Sequence, residues 1–472
     1  MDSPGPMPGG RVAHMSLDAP SIDTLSSVGP GGARNFLHPA KARGRFARGR
    51  SIVFAILIAV FVSLPFFTIN GRPGIWLDMA GRSFHILGFS VGPTQTWLLF
   101  FLFLAAVFTL VVVSALWGRI WCGWGCPQTV WLEGVFRRVE RLFEGDRHKQ
   151  LQLDAAPWSA EKALRKGGKN LVFLLLSVVI AHLVVCYFVP PAKLWQLMGR
   201  GPNADAEVFL WSSALTAVVF FNFAWFREQM CIILCPYGRL QSVLTDQDTV
   251  VVGYDARRGE PRGKATKSGH GDCVDCSRCV AVCPTGIDIR QGLQLECVGC
   301  AACADACDEI MAKLKRPRGL IRYDSQRGLT SGEHRFLRPR VYVYAVIAAL
   351  LLVAGTVLAR SRPELPVTLV RQVGAPFVLD GDDVRNAYLL RTANKTEQDE
   401  LLTIEVTPSN PKAEVTLPAK TWPLPPQGIA AIPVFVEVDR EHFSGPFDVA
   451  VKVTGRDGRQ AELHAQFLGP QQ

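Results

Sequence analysis

The sequence predicts a mixed fold: a polytopic α-helical membrane domain, a cysteine-rich insert and an all-β tail. Three features point to it. They are five charge-free apolar runs of spanning length, eight cysteines crowded between residues 273 and 307, and short alternating stretches punctuated by turns after residue 363. Hydrophobic residues make up 49% of the 472 and charged residues only 19%. With a mean hydropathy of +0.18, this excludes a wholly soluble or disordered chain.

Residues 1–33 carry 6 Gly and 5 Pro and lack an apolar stretch or cleavage pattern, so they are expected to be disordered rather than a signal peptide. The disordered, basic N-terminal region is placed at residues 1–50. The predicted spans are Ile52 to Ile69, Trp97 to Trp117, Leu171 to Pro190, Val208 to Phe226 and Val341 to Ala359. Each is long enough to cross a hydrocarbon core of about 30 Å as a helix. Lys and Arg alternate in density between them, with 7 in residues 1–51, 2 in 70–96, 10 in 118–170, 2 in 191–207 and 18 in 227–340. The rich segments belong in the cytoplasm, which puts the N-terminus inside and everything after the fifth span outside. From Arg360 onward there are 12 basic and 15 acidic residues, so the net charge of +10 arises near the membrane and nucleic acid is not an expected partner.

The resulting plan is a membrane domain at residues 51–245 with four spans, a cytoplasmic insert at 246–335, a fifth span at 340–360 and an external domain at 361–472. Strand-length stretches at Pro366 to Val370, Leu401 to Val406, Ile429 to Val438 and Phe447 to Val453, with Asn-Pro, Pro-Pro and Gly-Arg-Asp-Gly turns, predict an immunoglobulin-like β-sandwich of about seven strands.

Within the insert, Cys273, Cys276, Cys279 and Cys283 follow C-x2-C-x2-C-x3-C, and Cys297, Cys300, Cys303 and Cys307 repeat it. Three cysteines at three-residue steps wrap one cubane, while the fourth reaches the neighbouring one. Crossed pairing is therefore expected. One 4Fe-4S cluster takes Cys273, Cys276, Cys279 and Cys307, and the other takes Cys297, Cys300, Cys303 and Cys283. Zinc is the competing reading, but zinc modules close on four ligands with long spacers or histidines. Asp308 stands where a proline often follows the fourth cysteine.

A second pattern follows the second and fourth spans. GRIWCGWGCPQ contains Cys122, Cys126 and Pro127, and REQMCIILCPYG contains Cys231, Cys235 and Pro236, 109 residues further on. This spacing suggests an internal repeat of two hairpins. If the helix continues, cysteines at i and i+4 share a face, offering two soft thiolates to Cu(I) or to redox cycling until proline disturbs the turn. The bland alternative is small residues packing helix ends. Cys186 reads as packing, His182 as an intramembrane candidate of unassigned role, and Asn222 as a helix–helix hydrogen bond.

The order of spans, the paired GRIWCGWGCPQ and CIILCPYG motifs, the double ferredoxin motif and the β tail together resemble the cytochrome c oxidase accessory proteins called CcoG, FixG or Rdx. The resemblance implies a multi-pass protein of the bacterial inner membrane with two 4Fe-4S clusters. It also implies reduction of Cu(II) to Cu(I) in support of cbb(3)-type oxidase assembly, with Cys122, Cys126, Cys231 and Cys235 as the catalytic, copper-handling thiols. The expected partners are the lipid bilayer, copper, oxidase subunits or assembly factors, an electron donor that no motif names, and a second copy of the chain in a homodimer. A quinol-linked polyferredoxin and a non-enzymatic assembly scaffold are the alternative functions.

Overall fold

The computed structural model describes residues 27, 34–69, 72–79, 83–91, 97–203, 205–263, 269–361, 367–372, 374–394, 399–425 and 428–470. The expected disorder of residues 1–33 lies outside these, apart from Ser27. The chain divides into two compact units, Met1–Phe89 with Leu99–Val353, and Ser90–Leu98 with Ala354–Gln472.

Among the described residues, five helices are long and apolar enough to cross a membrane: Arg45–Ser63, Trp97–Trp117, Ala160–Val185, Ala206–Phe226 and Pro339–Arg360. Large apolar side chains such as Phe103, Leu210 and Leu350 are exposed along them, as a lipid-facing surface requires.

Two of the spans differ from expectation. The first was expected to run to Ile69 but ends at Ser63. Pro65 has no N–H to give the Phe61 carbonyl, and the Tyr187 hydroxyl donates to that carbonyl instead, at 2.7 Å. The third helix begins at Ala160 rather than at Leu171, because Ser159 caps it by accepting from the Lys162 N–H and the basic turns that follow stay helical below the apolar run.

The segment 34–50 is not disordered. The Ala40 N–H donates to the Ala281 carbonyl at 2.8 Å, and a helix starts at Arg45. Its first free N–H groups, on Phe46 and Ala47, are taken by the Asp305 carboxylate at 3.1 and 2.6 Å. The insert thus caps the first span. Gly44 is required there, since a Cβ would lie 2.3 Å from that carboxylate. Between the first two spans, Ile75–Asp78 pairs antiparallel with Ser83–Ile86, a hairpin the positive-inside reading treated only as a loop.

The insert is built on Val251–Tyr254 paired antiparallel with Ile321–Asp324. Helices Arg278–Ala281 and Ala302–Lys313 follow the two cysteine loops. Asp308, in the proline position, accepts from the Gly319 N–H at 2.8 Å and fastens the helix to the returning chain.

The second unit is a β-sandwich. One sheet orders Glu414–Thr416, Ile429–Asp439, Asp383–Ala393 and Val367–Arg371, with Val378–Asp380 also paired to Asp383–Ala393. The other orders Thr421–Leu424, Glu400–Pro408, Phe447–Thr454 and Gln460–Phe467. Alternate residues meet between the sheets, among them Tyr388, Leu390, Ile404, Ile432, Val434, Val451 and Phe467. The four expected strands are present as Val367–Arg371, Glu400–Pro408, Ile429–Asp439 and Phe447–Thr454, the last three longer than expected by one to three residues, and Pro366 lies outside the described residues. Asp383–Ala393 was missed because Arg385, Asn386 and Arg391 interrupt its apolar pattern. Asn386 is nonetheless buried, bonding both the N–H and the carbonyl of Leu468 at 3.0 and 2.6 Å.

Candidate functional site

The two cysteine loops of the insert share a backbone signature. Asp275 and Ser277 flank Cys276 at φ 51° and 50°, and Gly299 and Ala301 flank Cys300 at 66° and 55°. Left-handed residues are costly for non-glycines, roughly 1–3 kcal/mol each. They persist where alternating handedness forms a concave nest of N–H groups suited to an anion such as a thiolate-ligated cluster.

The electrostatic neighbours among the thiols fall mainly into two groups, with Cys303 also feeling Cys279 of the other group. Cys307 interacts with Cys279, Cys273 and Cys276. Cys283 interacts with Cys297, Cys300 and Cys303. Burial, with repulsion between neighbouring thiolates, pushes Cys297 and Cys307 up to about 12, so the thiolate form needs a cationic partner. Yet among the described residues no three His, Cys, Asp or Glu side chains converge closely enough to hold one metal ion. The N–H nests around Cys276 and Cys300, together with eight thiols in two such sets, suit clusters that bind one thiolate per iron. The residues fit the iron–sulfur group.

The C-x3-C-P segments are structural copies. Each follows a left-handed residue four positions before the first cysteine, Gly118 at φ 53° and Arg227 at 52°. In each, the second cysteine donates its N–H five residues back, Cys126 to Trp121 and Cys235 to Met230, both at 2.8 Å. The helix does not continue through the motif. Cys126 and Cys235 are extended N-caps (ψ 127° and 113°) of new helices with Pro127 and Pro236 in first position. Proline fits there, because a first-turn N–H would lack an intrahelical acceptor anyway.

Reciprocal hydrogen bonds hold the copies face to face. Gln128, two residues past Cys126, exchanges amide hydrogen bonds with Asn222 of the fourth span at 3.2 and 2.7 Å. Tyr237, two past Cys235, bonds Ser114 of the second span at 2.6 Å. Arg119 adds a bond to Gln241 Oε1 at 2.6 Å and another to the Gly238 carbonyl. As a result all four thiols interact with one another, and burial, the largest effect, pushes Cys122 and Cys231 up to about 12.

The first motif also rests on the insert. A Cβ on Gly123 would lie 2.7 Å from the Val298 carbonyl and 2.9 Å from Cys300 Cα, and Cys122 packs with the cluster of Val298, Cys300 and Ala302. Trp124 Nε1 donates to the Tyr323 hydroxyl at 2.9 Å, which donates to the Gly299 carbonyl at 2.5 Å. Arg50 Nε holds the Gly123 carbonyl at 2.9 Å. Arg119 acts electrostatically on Cys122, Cys231 and Cys297 alike.

Sequence reasoning also missed a buried ion network beneath the hairpins. Arg137 binds Glu133, reaches Glu228 at 3.2 Å and donates to the Pro284 carbonyl, beside Cys283, at 3.1 Å. Arg227 forks onto Glu140 at 3.2 and 2.8 Å, and Arg34 reaches Glu228 at 2.7 Å. Burial drives the Glu133 carboxyl up, but Arg137, Arg50 and Arg141 outweigh it and hold it below the usual range. Arg227, Lys169 and Arg137 do the same for Glu140. The only hint in the sequence is the density of paired charges just past an apolar run.

Of the remaining candidates, Asn222 makes the expected helix–helix bond, Cys186 packs against Val185 and Leu194, and His182 Nδ1 bonds the Val178 carbonyl of its own helix at 2.8 Å.

Comparison with known proteins agrees with this division. A 4Fe-4S dicluster domain family matches residues 226–326, a 4Fe-4S binding domain family matches 97–148, and the family described as the IG-like fold at the C-terminal of FixG matches 356–470. Protein RdxA of Cereibacter sphaeroides is 36% identical over 390 residues, covering 78% of this chain and 81% of its own. The nitrogen fixation protein FixG of Rhizobium meliloti is 34% identical over 439 residues, covering 83% of each. The chain belongs to the FixG/RdxA/RdxB family. This FixG-family protein is an iron–sulfur protein with five apolar helices of membrane-spanning length. Its β-sandwich is the family's C-terminal domain. The crystal structure of a FixG-related protein from Vibrio parahaemolyticus aligns with 23% of this chain and 98% of its own, at 18% identity and a TM-score of 0.21.

Proposed function

We propose that this FixG-family protein is a membrane-bound one-electron reductase whose terminal acceptor is Cu(II), supplying Cu(I) for assembly of a cbb(3)-type oxidase. The observation that carries the reading is the backbone contact between Gly123, inside the first C-x3-C-P segment, and the Cys300 loop. Thiols suited to a soft ion thereby stand directly beside a one-electron centre. When bound, the clusters supply single electrons, which match the single electron separating Cu(II) from Cu(I). Cys273, Cys276, Cys279 and Cys307 would hold the outer cluster and Cys283, Cys297, Cys300 and Cys303 the inner one. Cys276 is exposed, so a donor protein can approach the outer cluster there.

This chain's own residues make three contributions. The left-handed loops aim N–H groups at the clusters, which favours added negative charge. Arg119 and Arg50 place positive charge between the inner cluster and the thiols, so an arriving electron is stabilised at the point of exit. Soft thiolates at Cys122, Cys126, Cys231 and Cys235 favour Cu(I) over Cu(II) and pull the reaction forward.

The distribution of Lys and Arg supports a cytoplasmic location for the insert and an external one for the β-sandwich, in a bacterial inner membrane. Full-length protein in detergent, reduced anaerobically and freed of reductant, should convert Cu(II) to Cu(I) with oxidation of its clusters. A protein whose reduced clusters are oxidised by a quinone but not by Cu(II) would be a quinol-linked conduit instead.

A further inference from the structure

A cleft of about 550 Å³ opens where residues 43–45 meet the helix Ala302–Lys313 of the insert. Four basic side chains line it, Arg43, Arg45, Lys313 and Arg318. Its three carboxylates are already engaged: Asp305 takes the Phe46 and Ala47 N–H groups, Asp308 takes the Gly319 N–H, and Glu309 pairs with Lys313 at 2.7 Å. Arg43, Arg45 and Arg318 are exposed and, among the described residues, have no carboxylate partner. The cleft therefore presents uncompensated positive charge.

This charge stands beside the outer cluster's ligands. Asp305, Asp308, Glu309 and Ala312 line the cleft at the i, i+3, i+4 and i+7 spacing of one helix face, while Cys307, Ile310 and Leu314 of the same helix pack with Cys273 and Cys279. The bond from the Ala40 N–H to the Ala281 carbonyl at 2.8 Å lays the segment leading to Arg43 against the short helix that contains Cys279. The cleft also lies clear of lipid. Arg45 stands seven residues before Ile52, where the apolar run begins, and at about 1.5 Å per residue that is about 10 Å. The headgroup layer is only about 5–8 Å deep.

We propose that this cleft is the docking site of a small acidic one-electron carrier protein that reduces the outer cluster. Exposed guanidinium groups accept surface carboxylates in a planar fork, and concentrated positive charge steers an acidic partner toward them. One electron leaves the carrier, which is oxidised, and enters the outer cluster, which is reduced. No bond is made or broken. The onward passage of that electron to copper rests on the proposed function, whereas the docking is read before any copper is added.

The test is anaerobic stopped-flow mixing of copper-free, full-length protein in detergent with flavodoxin hydroquinone, an acidic flavin carrier. Photoreduced deazariboflavin, a small uncharged reductant, is the control. The rate of cluster reduction by flavodoxin should fall as salt is raised, and it should drop about tenfold or more in an Arg43→Glu, Arg318→Glu protein. Arg43→Lys with Arg318→Lys should keep most of the rate, because steering depends on charge. Reduction by deazariboflavin and the iron content should stay as in the wild type. An unchanged flavodoxin rate in the charge-reversed protein, an equal slowing by the small reductant, or a wild-type protein that flavodoxin does not reduce would each overturn the proposal. Loss of co-purifying anionic phospholipid with an unchanged flavodoxin rate would make the cleft a headgroup site and overturn it too. If the charge reversal does not fold, Arg43→Gln with Arg318→Gln takes its place, and a wild-type rate indifferent to salt remains sufficient to refute docking by charge. Clusters that flavodoxin reduces but Cu(II) cannot reoxidise would keep the dock and remove copper reduction. Clusters that Cu(II) reoxidises but flavodoxin cannot reduce would do the reverse.

Discussion

The insert and the membrane hairpins both duplicate a cysteine motif, but they distribute the copies differently along the chain. In the insert two loops follow one another between residues 273 and 307, and the spacing leads each to be expected to lend its fourth cysteine to its neighbour. In the hairpins the copies stand 109 residues apart, and each brings only two thiols. The first site is assembled mainly by local loop geometry. The second exists only after two spans, an amide pair, a hydroxyl pair and a buried ion network have formed. A site of the second kind should depend far more on tertiary structure, and that difference is open to test.

The largest effect is expected in the insert itself. Cys283→Ser should abolish the cluster built on Cys297, Cys300 and Cys303 and leave the other intact, read as loss of one EPR signal and of about four irons. Loss confined to the cluster on Cys273, Cys276 and Cys279 would overturn the crossed pairing.

The next effect separates the regions. Glu228→Gln removes the carboxylate shared by Arg34 and Arg137 but leaves Arg137 its ion pair with Glu133, so the loss should stay below the about 3–5 kcal/mol of a fully broken buried pair. Thermal unfolding in detergent should show this loss, and hydrogen exchange should show it concentrated at the hairpins rather than in the insert. Acid should act the same way. Glu133 and Glu140 titrate below their ordinary value in the fold. The stability they give is therefore complete above an unfolded value of about 4.3 and is lost as pH falls through the depressed folded values. Hairpins that resist acid better than the insert would contradict the network's role.

A smaller effect is expected at the contact between the regions. Gly123→Val must displace the Val298 carbonyl or the Cys300 backbone. This overpacking costs about 1–3 kcal/mol and should slow electron passage out of the insert while leaving its cluster content unchanged. The smallest effects are those of Gln128→Ala and Tyr237→Phe, each removing hydrogen bonding worth about 0.5–1.5 kcal/mol. Gln128→Ala should cost the more, because Gln128 exchanges two bonds with Asn222 while Tyr237 makes one with Ser114. A larger drop in unfolding temperature for Tyr237→Phe would contradict this.

The same contrast explains what the sequence made legible. Cys273 to Cys307 could be read as two crossed clusters because ligand spacing is a local property. The spans were legible from apolar length, except that Pro65 ended the first helix, Ser159 started the third early and the third closed at Val185 rather than Pro190. Cys122, Cys126, Cys231 and Cys235 were legible as motifs and as four thiols that could meet if the two hairpins pack side by side, but the groups that hold them there were not. Their continuation as helix was overridden by extended N-caps at Cys126 and Cys235, and their mutual approach depends on Gln128, Asn222, Ser114 and Tyr237, which carry no spacing signal. Arg119, Gly123 and the Arg137 network gain meaning only through partners on other elements.

The central claim is that electrons stored in the insert pass to Cu(II), and anaerobic stopped-flow mixing tests it most directly. Reduced full-length protein, freed of excess reductant, is mixed with Cu(II) in the presence of a Cu(I)-specific chelator while cluster absorbance is followed. Cluster oxidation and Cu(I) formation should proceed together, with one Cu(I) for each electron lost. Clusters that stay reduced, or Cu(I) formed as readily by a Cys279→Ser, Cys303→Ser protein lacking them, would contradict it.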